Sequence, residues 1–158
     1  MSLFRRKHEF EIYSPLQGLS IPLSEVKDGV FSEELLGKGC AIRPESENVY
    51  SPVNGKVEMV FPTGHAVGVK SADGVEVLIH IGLETVNMNG EGFQVHVQQG
   101  DAVKIGDPLV TFSKKKIEKA GYDPVTMLII SNTKDFKEVK QVKQGSIETK
   151  EPLLQVIA

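Results

Sequence analysis

The sequence predicts an all-β chain: a single antiparallel β-sandwich or barrel-like domain carrying one or two short peripheral helices. Three observations lead there. Short apolar, β-branched runs recur from residue 10 to residue 157. Dense turn chemistry separates them, drawing on 15 glycines and 8 prolines spread along the chain. Only one stretch carries the start and stop signals of a helix. At 158 residues and 40% apolar content the chain is one ordinary domain able to bury a real core. We place that domain at 10–158, after a flexible tail over residues 1–9.

Taken in order, strands are expected at 10–13, 19–22, 40–43, 56–61, 65–70, 75–81, 93–97, 109–112, 127–131 and 153–157. Ser14-Pro15, the run 51–55 (SPVNG), Asp73-Gly74 and the run 106–108 (GDP) separate them with residues that favour turns for stated backbone reasons. The helix is expected at 114–119: Ser113 can cap it, and Gly121 sits where a left-handed terminating residue belongs.

Composition excludes several classes of function. A net charge of −3 with no large basic block leaves no electrostatic footprint for nucleic acid. The lone Cys40 cannot form an internal disulfide and is read as a small buried residue, so a reducing, cytoplasmic compartment is expected. No segment approaches the ~20 apolar residues that span a bilayer, so no stable membrane insertion is expected. The chain is expected to be a monomer.

The most informative stretch is the run 65–81. It reads as a hairpin in which Val75, Val77, Ile79 and Ile81 alternate toward the core, leaving Glu76, Leu78 and His80 on the other face. With a loop at 71–74, or a tight turn on Ala72 and Asp73, Lys70 pairs with Val75 and His65 with His80. A turn on Asp73-Gly74 would instead place His65 diagonally on the same face. A one-residue slip would separate the two rings. Paired imidazoles can divide labour: one presents a neutral nitrogen as nucleophile while the other donates to developing negative charge. They also make a half-built zinc site that needs at least one more ligand. His96 is read as a structural or surface residue, and His8 as part of the tail.

At these residues the sequence resembles the glucose-type enzyme IIA domain of the bacterial phosphoenolpyruvate-dependent sugar phosphotransferase system. The likeness runs from about Ile12 to the C-terminus through 51–57 (SPVNGKV), 61–67 (FPTGHAV), 74–86 (GVEVLIHIGLETV), 89–93 (NGEGF), 100–109 (GDAVKIGDPL) and 130–132 (ISN). It implies a β-sandwich whose shallow apolar face holds the active pair. His80 aligns with the phosphoryl acceptor, charged through Nε2 by a histidine-containing phosphocarrier protein and discharged to a cysteine of a sugar-specific IIB domain. His65 aligns with the second histidine, which supports onward transfer. Thr63 would hydrogen-bond His65, and the Gly82 carbonyl would hold the far nitrogen of His80. Val30, Phe31, Leu35, Leu36, Phe61, Leu78 and Val86 correspond to an exposed apolar collar for partners. Asp28 and Glu84 correspond to acidic positions that receive an arginine of the incoming carrier, with Glu84 replacing the usual aspartate. Gly64 stands where relatives often carry asparagine, and Leu78 where some carry phenylalanine. The amphipathic N-terminal helix of some relatives is not evident in residues 1–8. With no IIB or IIC motif in the sequence, the acceptor is expected on a separate chain.

Three other functions compete. A zinc hydrolase lacks a third ligand near the hairpin. A lipoyl- or biotinyl-type carrier would need a lysine on a tight hairpin, a setting that Lys56 and Lys104 lack. A regulatory module could use the same apolar face, because a dianion placed there would change docking. No intrinsic cofactor is expected; a zinc ion held by His65, His80 and a partner carboxylate is expected only in a complex.

Overall fold

The computed structural model describes residues 8–158. Its largest element is an eight-stranded antiparallel sheet, built from β2 (Gly18–Pro22), β3 (Lys38–Pro44), β5 (Gly55–Val60), β6 (Ala66–Ser71), β7 (Glu76–Ile81), β9 (Ala102–Val103), β11 (Thr126–Ile130) and β13 (Gly145–Ile147). The order across it is β13-β2-β3-β11-β7-β6-β5-β9. Two three-stranded antiparallel sheets complete the fold. One runs β1-β14-β12, from β1 (Glu9–Tyr13), β14 (Pro152–Ile157) and β12 (Glu138–Gln141). The other runs β4-β10-β8, from β4 (Asn48–Tyr50), β10 (Pro108–Phe112) and β8 (Phe93–Val95). All three contribute to one core, in which Ile12, Val49, Val69, Ile79, Leu109, Leu128 and Val156 meet. The architecture is a sandwich and not a closed barrel.

Each predicted strand is present, shifted by a residue or two at its ends. The helix α1 (Lys114–Lys119) is capped by Ser113 Oγ, which accepts from Lys116 N–H at 3.1 Å, and Gly121 follows at φ +91°. The sequence reading missed β4, β9, β12 and β13, which are two to four residues long and too short for periodicity to register. The tail predicted over residues 1–9 lies, for 1–7, outside the described residues. Glu9 departs from that reading, since it opens β1 opposite Ile157, and the His8 carbonyl accepts from Ala158 N–H at 2.7 Å.

The feature that positions the site is unequal cover on the outer face of the large sheet. In β11 every residue is buried. Leu128 and Ile130 enter the main core, whereas Met127 and Ile129 face outward and are covered by Ile21, Leu23, Val26 and Phe31 in a second small core. A strand covered on both faces reads as an unbroken apolar run, which is what residues 127–130 are. Next door, the outward side of β6 and β7 carries Ala66, Gly68, Leu78 and His80 at the margin of that cover, where Leu78 packs against the small core and Phe31 lies over His80.

Candidate functional site

The histidines reach each other by a route the sequence did not predict. The β6–β7 register pairs Lys70 with Glu76 and Ala66 with His80, so the expected Lys70–Val75 and His65–His80 pairs do not form. The hairpin loop has three residues, 72–74, closed by Ser71 N–H to the Val75 carbonyl at 2.8 Å, with Gly74 at φ +90°. That loop produces the one-residue slip. Strict alternation would then send His65 to the core face with Ile81.

It does not go there, because β6 begins only at Ala66 and the chain bends across Gly64 and His65. Gly64 stands at φ +73°, and a Cβ on it would meet Val95 Cγ2 at 3.0 Å and Phe93 Cβ at 3.2 Å. Glycine permits both the left-handed backbone and the close approach. The bend frees the His65 side chain from the pleat, while its carbonyl still accepts from Ile81 N–H at 2.7 Å. The two imidazoles end with centroids 4.8 Å apart at 80°.

Each ring is anchored through Nδ1. Thr63 Oγ1 lies 2.6 Å from His65 Nδ1, and His80 Nδ1 lies 2.9 Å from the Gly82 carbonyl oxygen. A carbonyl only accepts, so His80 Nδ1 carries the proton and the neutral ring keeps its lone pair on Nε2. Phe31 lies against His80 at 5.0 Å, and Phe61 packs edge-on to His65 at 5.3 Å.

Burial dominates the electrostatics. It pushes His80 down to about 4, reinforced by the neighbouring His65 and opposed by the Gly82 carbonyl and the Asp28 carboxylate. Burial also lowers His65. The Nε2 lone pair of His80 therefore stays free well below the pH at which a free imidazole is protonated. Phosphoryl acceptance is expected to stay nearly flat from pH 8 to 5, measured as initial rate with a fixed donor.

Stability should move with pH over the same range. The unfolded chain takes up protons near 6.5 and the folded ring only near 4, so stability falls as pH drops between those values. His80 alone should remove on the order of 2 kcal/mol between pH 7 and 5. Urea midpoints at the two pH values would read this, and H80Q should remove the His80 share of the drop.

The predicted collar is mostly where a partner can reach it. Val30, Leu35, Leu36 and Val86 are 42 to 69% exposed, and Phe61 and Leu78 are half-buried. Phe31 is the correction: it is only 6% exposed, because it closes the second core and covers the His80 ring. Asp28 is also more than a surface acid. Its carboxylate accepts from Phe31 N–H at 3.0 and 3.1 Å and from Ser32 N–H at 3.2 Å, which seats Phe31. Glu84 is exposed at φ +60°, at the start of the 3-10 turn Thr85–Met88.

Met59 belongs to this surface although the sequence did not suggest it. It pairs with Gly68, is 50% exposed, and lies 3.8 Å from where a Gly68 Cβ would stand. A register irregularity between Val57 and Met59 breaks the alternation that would have sent it inward. His96 is exposed, with Nε2 2.7 Å from Thr111 Oγ1, and stands apart from the pair in its hydrogen bonding. Cys40 is fully buried, and burial pushes its thiol up. Among the described residues no three His, Cys, Asp or Glu side chains cluster to hold a metal, and no helix is long and apolar enough to cross a membrane.

Residues 10–136 match the model of the family described as phosphoenolpyruvate-dependent sugar phosphotransferase system, EIIA 1. The chain belongs to that family. This EIIA chain is 45% identical over 154 residues to the PTS system glucose-specific EIIA component of Oceanobacillus iheyensis, covering 97% of itself and 93% of that protein. It is 50% identical over 145 residues to the PTS system beta-glucoside-specific EIIBCA component of Bacillus subtilis, covering 90% of itself but 24% of that longer protein. The glucose permease IIA from Mycoplasma capricolum superposes with a TM-score of 0.81 at 36% identity, covering 93% of this chain and 95% of that one. The EIIA chain is accordingly a phosphotransferase component with a phosphocarrier role in sugar uptake, built on the antiparallel EIIA fold.

Proposed function

We propose that His80 is the residue that carries the phosphoryl group, accepting it on Nε2 from a histidine-containing phosphocarrier protein and passing it to the cysteine of a sugar-specific IIB domain. One observation supports this above the others. His80 is locked by the Gly82 carbonyl into the tautomer with a free Nε2, beside a second imidazole.

In the first transfer the Nε2 lone pair attacks phosphorus and the phosphorus–nitrogen bond of the donor breaks, its electron pair returning to the donor imidazole. Nδ1–H stays on His80 throughout. In the second, a thiolate attacks phosphorus and the bond to Nε2 breaks, restoring the lone pair. His65 serves the charged state. With Thr63 donating to its Nδ1, the neutral ring holds its proton on Nε2 and can donate it as a hydrogen bond to a phosphoryl oxygen.

Val30, Leu35, Leu36, Val86 and Met59 form the apolar docking rim for both partners. Asp28 and Glu84 add negative charge that suits a basic carrier surface. The site of action is the cytoplasm, with the chain acting as a monomer. The relatives are named for glucose and for beta-glucosides, and the sugar is chosen by the membrane component that receives the phosphate.

Incubation with phosphoenolpyruvate and the upstream carrier proteins should give an acid-labile phosphate on His80 Nε2, assigned by phosphorus NMR. Phosphate on His65, or on Nδ1 of His80, would overturn the assignment. The exposed rim also favours a regulatory reading, in which a dianion on this face switches the binding of other proteins. Zinc would fit that reading with His80 Nε2, His65 and a partner carboxylate as ligands, provided that His65 moves its proton to Nδ1 and Thr63 Oγ1 accepts it, since two neutral imidazoles supply half of a tetrahedral set. It would appear as a zinc-dependent rise in partner affinity that H65A removes.

A further inference from the structure

We infer that Thr85 is a positioning residue for phosphoryl transfer, through its grip on the Ile81–Gly82 peptide unit, from which the Gly82 carbonyl is aimed at His80. The inference rests on the reading of His80 as acceptor, and it concerns a residue that the site's chemistry does not otherwise use.

The Thr85 side chain is completely buried, and its hydroxyl donates to the Ile81 carbonyl. The other end of that peptide unit is held as well, since Gly82 N–H donates to the Val125 carbonyl at 2.8 Å. The next unit is held in the same manner. Its oxygen, on Gly82, receives His80 Nδ1–H at 2.9 Å, and its nitrogen, on Leu83, donates to the Asp123 carbonyl at 3.0 Å. Asp123 in turn fixes this outer loop, because its Oδ1 accepts from Val125 N–H at 2.9 Å.

Two consecutive peptide planes, each fixed at both ends, flank a glycine at φ +81°. The conformation is closed to other residues on steric grounds as well, because a Cβ at Gly82 would run into Thr85 Cγ2 and come within 3.0 Å of the Asp123 oxygen. Thr85 thus contributes twice: its methyl fills the space beneath Gly82, and its hydroxyl orients the first plane. Only the hydroxyl bears on the proton of His80. Rotation of the Ile81–Gly82 plane would turn the Gly82 carbonyl away from Nδ1, letting the ring move its proton to Nε2 and bury the nucleophile's lone pair in a bond to hydrogen.

Ile81 also ties this device to the second histidine, because its N–H donates to the His65 carbonyl at 2.7 Å. The same short segment sets both rings.

The test uses the full chain and reads the His80 tautomer by nitrogen-15 NMR of the unphosphorylated protein, with acceptance rate as a second readout. In the wild type, His80 should be purely the Nδ1–H form. T85V keeps the shape and removes the donor; it should show a mixed or inverted tautomer and accept phosphate about tenfold more slowly. T85S keeps the hydroxyl and loses the methyl; it should retain the wild-type tautomer and rate despite a lower melting temperature. A wild-type tautomer in folded T85V would overturn the inference. Should T85V not fold, T85S decides: loss of the Nδ1–H form in T85S would show that the hydroxyl is not what sets it. A wild-type chain that takes no phosphate on His80 would instead overturn the acceptor reading, leaving the tautomer result to stand or fall by itself.

Discussion

H80A is expected to take up no phosphate from the upstream carrier, a fall of more than about 10⁴-fold against the wild type. The reason is the geometry of the pair. His65 is 2% exposed and its Nδ1 is engaged by Thr63, so it has neither the access nor the carbonyl-fixed tautomer that His80 has. His80 is part-exposed, with its far nitrogen fixed by Gly82. A labelling assay with phosphoenolpyruvate and the two upstream proteins reads the effect directly. Phosphate appearing at a wild-type rate on His65 of H80A would mean that the roles of the two rings are reversed.

The second large effect separates the two half-reactions. H65Q is expected to accept phosphate at close to the normal rate and to pass it on about 10²-fold more slowly. The glutamine amide still offers a hydrogen-bond donor to the phosphoryl group, so the charged state forms. What it cannot do is gain a proton. On the reading of His80 as acceptor, a phosphoryl dianion beside His65 would raise the affinity of that ring for a proton, opposing the burial that lowers it in the free protein. Once protonated, with Nδ1–H then donating to Thr63 Oγ1, the ring would balance the charge while the phosphoryl group leaves. Single-turnover transfer from isolated phosphorylated H65Q to a IIB domain measures this step alone. Normal onward transfer there would remove His65 from the mechanism.

These outcomes depend on local features of unequal legibility. The helix 114–119 was readable because its cap and its terminating glycine are adjacent in sequence, and such signals need no distant partner. The core face of β7 was readable because burial imposes alternation where one face is covered. Phe31 was misread as exposed. Its cover comes from Val26, Met127 and Ile129, which are brought to it only by the packing of the 23–36 segment over β3 and β11. Met59 was missed because one irregularity in β5 reverses the facing of everything beyond it.

The sequence by itself determined the sandwich of short antiparallel strands, the hairpin that carries both histidines, and the residue types able to carry a phosphoryl group. Those are properties of local pattern: alternation, turn chemistry and the protonation range of imidazole. The tertiary structure alone decided how the rings meet. The hairpin register is off by one, and the bend at Gly64 and His65, packed against Phe93 and Val95, returns the ring to the face from which the slip would have removed it. Backbone register follows from loop closure and side-chain direction from the packing around a bend, and neither is written in the spacing of residues along one strand.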